Sequence, residues 1–366
     1  MLLLRAALIN GPAASDAANA WLEAHRAGAG DGFRYLDSAS RRLLPLLHRN
    51  VKEGIPEDLR KELRTVHHQY WAENQQLFRK LETVLLRLEA AGIPTLVLKG
   101  AALSILHYRD MAVRPMSDFD ILVPEELGPQ LVRQFIQEGW VPDCVPASGP
   151  NDDYFYRFRH ALDLVHPQQG TVDLHWHVML EATYQGADRQ FWNGSVPLQV
   201  KSVLTRALNP TDQLLHTCLH GFPYNPMPSI RWIADAITIL RTSTIDWERM
   251  LQVAGELRVT IPCAEGLTFL NDELQAGVPA GAIAKFAEFH MSSPETRYFE
   301  RMANPGARRW WETMEDVWAA ASRANRDLPY WKRVAALPRQ LQMQQELESL
   351  SSLIPHVFVF MRRRFA

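Results

Sequence analysis

Asp118 and Asp120 are the residues on which chemistry is most readily built. They open the run Asp118-Phe119-Asp120-Ile121-Leu122-Val123, which reads as a strand stopped by Pro124. Side chains alternate across a strand, so the two carboxylates project to one face and Phe119 and Ile121 to the other. Upstream, the apolar run Thr95-Leu96-Val97-Leu98 ends at Lys99-Gly100, and Ala101 to Tyr108 has helical composition and spacing. Two carboxylates on one strand face, beside a glycine turn that opens a helix, can hold a divalent metal against a phosphate. A solvated strand edge would present the same short pattern. This run is otherwise apolar, however, and a buried carboxylate must be paired or metal-bound.

A second constellation is Thr171-Val172-Asp173-Leu174-His175-Trp176-His177. Strand alternation sets Val172, Leu174 and Trp176 on one face and Asp173, His175 and His177 on the other. Three readings are open for D-x-H-x-H. Alternate residues can converge on zinc, although no fourth ligand is evident nearby. The face can be an ordinary polar one. Or Asp173 is a third carboxylate of the Asp118/Asp120 centre, with His175 beside it. Elsewhere, adjacent His67 and His68 point about 100° apart and read as surface polar residues. The pairs His216/His220 and Arg231/Asp235 are each four apart on helical segments. For the latter, a plain salt bridge and a substrate role are both open.

The elements that must position these residues follow from periodicity. Glu57 to Ala91 reads as one long helix, with Leu59, Leu63, Val66, Tyr70, Leu77, Leu81, Val84, Leu85 and Leu88 at three- and four-residue spacing, and Gly92 as its stop. Glu125 to Glu138 is a second helix with an apolar stripe of Leu127, Leu131, Val132, Phe135 and Ile136. Its Glu125 and Glu126 suit the first turn, where the helix dipole favours anions. Trp140 to Pro150 is a proline-rich connection, and Asp153 to Phe158 alternates like a strand. Ala161–Val165 and Thr171–His177 then form an antiparallel hairpin around His166 to Gly170. Helices are expected over Thr211–His220 and Ile230–Leu240, and over 246–290 with breaks at Gly266 and the 277–281 turn. Residues 1–55 read as short helices around the Gly28–Gly32 turn. The tryptophan-rich end closes on the basic run Val357 to Arg364, a packed terminal segment with a basic cap that could also touch acidic lipid or phosphate.

The chain of 366 residues allows two or three domains. They are expected at 1–92 (helical), 93–185 (the acid-bearing core) and 186–366 (helical). The fold class is α+β, a small mixed sheet with mainly helical regions before and after it. A hydrophobic content of 47% supplies a core, and a net charge of −2 marks no bulk nucleic-acid binder. Three separated cysteines without metal spacing, Cys144, Cys218 and Cys263, suit free thiols in a reducing compartment. The start Met1-Leu2-Leu3-Leu4-Arg5 lacks the features of a signal peptide. No apolar run nears the ~20 residues of a membrane span, so a cytoplasmic protein without membrane partners is expected.

Leu98-Lys99-Gly100, Leu103, Tyr108, Arg114 and Ser117-Asp118-Phe119-Asp120-Ile121-Leu122-Val123 together resemble the signature of a bacterial nucleotidyltransferase family often labelled uncharacterised. That family is similar to the DNA polymerase beta superfamily. Val172-Asp173-Leu174-His175-Trp176 resembles its third-carboxylate strand, and Ile230-Arg231-Trp232-Ile233-Ala234-Asp235 its C-terminal part. The resemblance spans about residues 80–275. One departure is the Lys99-Gly100 pair, where the wider superfamily carries Gly-Ser or Gly-Gly.

The resemblance implies transfer of a nucleoside monophosphate from an NTP, with ATP expected, to an acceptor. It implies Mg²⁺ (or Mn²⁺) held by Asp118, Asp120 and Asp173 in a two-metal scheme with the ions ~4 Å apart. It implies nucleotide contacts at Lys99, Gly100, Arg114, Ser117, His175 and Arg231. Gly100 would admit backbone to the phosphates at a helix start, and Arg114 is either a phosphate ligand or an anchor for its turn. The implied acceptor is a peptide, a small metabolite or a protein group, as for a biosynthetic tailoring enzyme. Two other readings stand beside it: a toxin-like nucleotidyltransferase of phage defence acting on RNA or protein, and a non-catalytic nucleotide-binding scaffold.

Overall fold

Short apolar runs bounded by glycine and proline become the strands. The structure, a computed structural model, describes residues 1–9, 11–29, 33, 36–143, 153–221, 230–289, 292–304, 309–344 and 351. The strands are β1 (Leu96–Val97), β2 (Phe119–Leu122), β3 (Val141–Pro142), β4 (Ala161–His166), β5 (Gly170–His175), β6 (Val196–Val200) and β7 (Val203–Ala207). They form a seven-stranded mixed sheet in the order β3-β4-β5-β2-β1-β7-β6. With helices before and after it, the protein is α+β. Among the described residues no helix is long and apolar enough to cross a membrane.

The chain divides into two compact units. One contains Met1–Ala91, Val97–Phe119 and Ser195–His290; the other contains Gly92–Leu96, Asp120–Gly194 and Met291–Ala366. The first is organised by a helix of 34 residues, Glu57–Ala90, whose Leu59, Leu63, Val66, Phe78, Leu81, Val84, Leu85 and Leu88 are buried. Each such side chain removed from water contributes about 1.5–3 kcal/mol. Helices Pro210–Gly221, Arg231–Thr242, Trp247–Leu257 and Thr260–Leu274 follow the β6–β7 hairpin in the same unit. Gly266 does not break the chain as its composition suggests; it lies inside Thr260–Leu274. The break comes at Arg258, which takes a left-handed conformation (φ 60°) and closes the preceding helix.

In the second unit the hairpin β4–β5 has the expected alternation, with Asp163 opposite Asp173 and Leu162 opposite Leu174. Residues Asp153–Phe158 form a helix instead of the expected strand. Six residues are too few to separate the two periods, and tertiary contact decides. Phe155 and Tyr156 pack on the Trp176 ring, and the indole N–H donates to the carbonyls of Tyr156 (2.9 Å) and Arg159 (2.8 Å). Gly28 belongs to the helix Pro12–Ala29. The rest of that glycine turn, residues 144–150 with Cys144, the loop 222–229 and the basic C-terminal run lie outside the described residues.

Asn74, fully buried in the long helix, ties down the segment that leads to Asp118. Its amide N–H₂ donates to the carbonyls of Met111 and Arg114 (2.9 Å to the latter), and its oxygen accepts from Met116 N–H (3.2 Å). Replacing it leaves two buried carbonyls and one amide to find new partners. Asn74→Ala is expected to lower stability by ~2 kcal/mol or more, read as a fall in thermal midpoint. Asn74→Leu, of similar volume, is expected to do no better, because the loss is one of hydrogen bonds.

Candidate active site

The carboxylates meet where β2 lies beside β5. All four residues of β2 are buried, and Val123 N–H donates to the His175 carbonyl at 3.0 Å. Asp120 is 6% exposed and His175 fully buried. His175 Nε2 lies 2.8 Å from Asp173 Oδ2 and 3.4 Å from Asp120 Oδ1. Its Nδ1 lies 3.2 Å from the His177 carbonyl. Both ring nitrogens therefore face acceptors, and His175 is a donor wedged between two acids. The possible ligand atoms of Asp120, Asp173 and His175 all lie within 4.8 Å of one another. Two acids this close, one of them buried, repel each other unless a cation or a donor sits between them.

The D-x-H-x-H pattern does not gather on one centre. β5 ends at His175, so strand alternation no longer governs His177. That ring turns instead to Asp188, Nδ1 to Oδ2 at 2.6 Å, while Asp188 Oδ1 accepts from Val178 N–H at 2.8 Å. Glu125, expected only to complement a helix dipole, accepts from Gly186 N–H at 3.0 Å and belongs with His177 and Asp188 to a separate group.

The other residues singled out lie in the first unit. Lys99 has φ +43°, a left-handed conformation that glycine adopts freely and a lysine does not. A Cβ on Gly100 would strike Nη1 of Arg114 and come within 2.8 Å of Met116 Sδ, so glycine is required there for the guanidinium to pass. Arg114 forms a bidentate pair with Asp235, Nε to Oδ1 at 2.9 Å and Nη2 to Oδ2 at 2.8 Å. Tyr108 O–H donates to the same Oδ1 at 2.8 Å; burial pushes its phenol well above its ordinary pKa. The spacing of Arg231 and Asp235 suggests a pair, yet Asp235 is taken by Arg114. Arg231 donates instead to the Pro115 carbonyl at 3.1 Å. Burial first, then the nearby Arg114 and Arg42, pull the Arg231 guanidinium down to about 10. Ser117 is exposed and Asp118 half-buried in the stretch entering β2; Asp118 is not a member of the Asp120 group. Sequence reading missed Asn74, whose only signal is a polar residue on the buried side of an apolar helix.

This arrangement belongs to an α+β protein with one buried and one half-buried acid on adjacent strands inside its sheet. A family model described as uncharacterised nucleotidyltransferase matches residues 38–274, more than half of the chain, and the protein belongs to that family. In structure it is similar to an antigenic nucleotidyltransferase-like protein from Paracoccidioides brasiliensis, at 17% identity and a TM-score of 0.37 over 58% of this chain and 93% of that one. No curated protein matches it.

Removing one partner of the buried ion pair exposes what it holds. Arg114→Ala strands the Asp235 carboxylate and is expected to cost about 3–5 kcal/mol. The double change Arg114→Ala/Asp235→Ala is expected to cost clearly less than the sum of the two single changes. Urea unfolding of the three variants measures this coupling.

Proposed function

We propose that this chain is a metal-dependent nucleotidyltransferase that moves a nucleoside monophosphate from an NTP, with ATP the expected donor, onto a peptide, small metabolite or protein group. The observation that carries this reading is the group of buried Asp120 and His175 with half-buried Asp173 in a member of a nucleotidyltransferase family. The donor set fits a hard divalent cation: the carboxylate oxygens suit Mg²⁺ or Mn²⁺. When bound, such ions neutralise the triphosphate and lower the pKa of the acceptor hydroxyl.

The residues divide the work. Asp120 and Asp173 hold cation charge, and Asp118, two positions before Asp120, supplies the nucleotide-side carboxylate. Asp173 would ligate the nucleophile-side ion or take the acceptor's proton as the acceptor's oxygen bonds to the α-phosphorus. The bond to the bridging oxygen breaks, and pyrophosphate leaves with the electron pair. His175 orients Asp173 through Nε2. Lys99 offsets phosphate charge, with Ser117 and Arg231 as further nucleotide contacts. Arg114, its fork engaged by Asp235, acts as the anchor of the turn that Gly100 accommodates.

Asp173→Asn is nearly isosteric and removes one charge. NTP binding is expected to persist in this variant, while pyrophosphate release falls by a factor of a thousand or more, each power of ten being ~1.4 kcal/mol of barrier. Asp118→Asn is expected to lose binding and turnover together. A folded, fully active Asp173→Asn protein would remove the three-carboxylate assignment. Calorimetry with and without EDTA tests the metal itself; equal NTP affinity in both would exclude it from nucleotide binding.

Lys99 separates charge from backbone. Lys99→Ala and Lys99→Gly are both expected to weaken nucleotide binding. Only Lys99→Gly relieves the left-handed backbone, a penalty of about 1–2 kcal/mol set against glycine's own entropy of about 0.5–1 kcal/mol. Its thermal midpoint is expected to equal or exceed that of the wild type, and to exceed that of Lys99→Ala.

A further inference from the structure

The helix Leu44–Asn50, the connection after it and the start of Glu57–Ala90 line a hollow of about 320 Å³, open to solvent, within the first unit. Its wall carries His48, Arg49, Lys52, Arg60 and His67, with Asp110 as the acid among the described lining residues. That acid is already committed. Its Oδ2 lies 3.3 Å from His67 Nε2, and its Oδ1 accepts from Ala112 N–H at 2.8 Å.

The cationic groups are less well served. Arg49 donates to the Tyr108 carbonyl at 3.1 Å and lies over the Tyr108 ring, which leaves its charge without a carboxylate. Lys52 has no acidic partner within ion-pair distance among the described residues. Arg60 Nε is buried with no hydrogen-bond acceptor; its Nη2 donates to the Ile55 carbonyl at 3.5 Å, and Glu57 Oε2, on a side chain 78% exposed, lies 3.6 Å from Nε. The His48 ring stacks edge-on against His67 with centroids 5.3 Å apart. Burial lowers the His48 pKa, and His67, Arg64 and His68 lower it further, against the opposing pull of Asp110. Like charges drawn together around a hollow raise its potential and favour an anion inside it.

Two histidines and an aspartate could suggest a metal. They do not converge as ligands among the described residues, and Arg49, Lys52 and Arg60 repel a cation. A long polyanion would be read by a basic stripe along the surface. A hollow of this size, with the Arg60 Nε–H lacking an acceptor and the exposed Lys52 ammonium at its rim, suits one compact tetrahedral group, whose oxygens accept several charge-assisted hydrogen bonds.

We propose that this cavity is a binding site for the phosphate group of a small ligand, held by Lys52 and Arg60 with His48 and Arg49 beside them. The assignment stands on these residues alone and is independent of the transfer reaction.

The test is calorimetric titration of the full-length protein with inorganic phosphate and with glycerol phosphate, against chloride at matched ionic strength. Saturable binding is expected, weakened about tenfold or more in Lys52→Ala/Arg60→Gln, as for the loss of two charge-assisted contacts, and unchanged in Lys99→Ala. In parallel, the His48 and His67 ring-proton resonances are expected to shift with phosphate and not with chloride, and His48 to titrate at higher pH once the anion is present. Retained affinity in the folded double variant, or loss only in Lys99→Ala, would place the anion elsewhere and overturn the proposal. So would binding to phosphatidic acid vesicles or to an RNA oligonucleotide without binding to the soluble phosphates.

Discussion

A carboxylate taken out of water must be answered by a charge of the opposite sign, and much of the first unit is arranged around one such answer. Asp235 is 5% exposed. Its partner is a residue 121 positions away, Arg114, which reaches it with a two-pronged guanidinium. For that reach to exist, position 100 must carry no side chain, Tyr108 must lend its hydroxyl, and the segment from Met111 to Met116 must be held by Asn74. The pair is costly to assemble and costlier to break. It specifies one path for the chain between the first strand of the acid-bearing motif and the second.

The same electrostatic rule applies to Asp120 and Asp173, which have His175 between them. His175 offers a single ring nitrogen to two carboxylates at unequal distances, 2.8 and 3.4 Å. A structural pair satisfies itself, as Arg114 and Asp235 do. The two pairings differ in kind: Asp235 meets a guanidinium fork, whereas Asp120 and Asp173 share an imidazole.

Much of this was legible in the sequence. Glycine and proline bounded β1 and β2 correctly, the 3.6 period gave the long helix, and the 2.0 period gave the hairpin with Asp173 on it. What escaped was decided by contacts distant in sequence. The partner of Asp235 could not be read from i,i+4 spacing, because a residue far along the chain competes for it. Asp153–Phe158 is helical and packs Phe155 and Tyr156 on Trp176, the residue just after the next hairpin. The hairpin β6–β7 lay in a region read as helical, although Val196–Val200 and Val203–Ala207 alternate in burial on either side of Lys201 and Ser202. There the signal was present and went unused. Lys99 gave no hint that it would adopt a conformation suited to glycine.

The helix Glu57–Ala90 has one more property. At 1.5 Å per residue its 34 residues span about 51 Å. The segment from Asp110 to Met116 is stitched to it twice, at His67 through Asp110 and at Asn74 through Met111, Arg114 and Met116. Seven residues are two turns, so both stitches fall on nearly the same side of the rod, about 10 Å apart. Two fastenings on one stiff member allow neither twist nor slide. The segment cannot rotate about either point alone, and any tilt of the rod is delivered whole to the residues that run into Asp118.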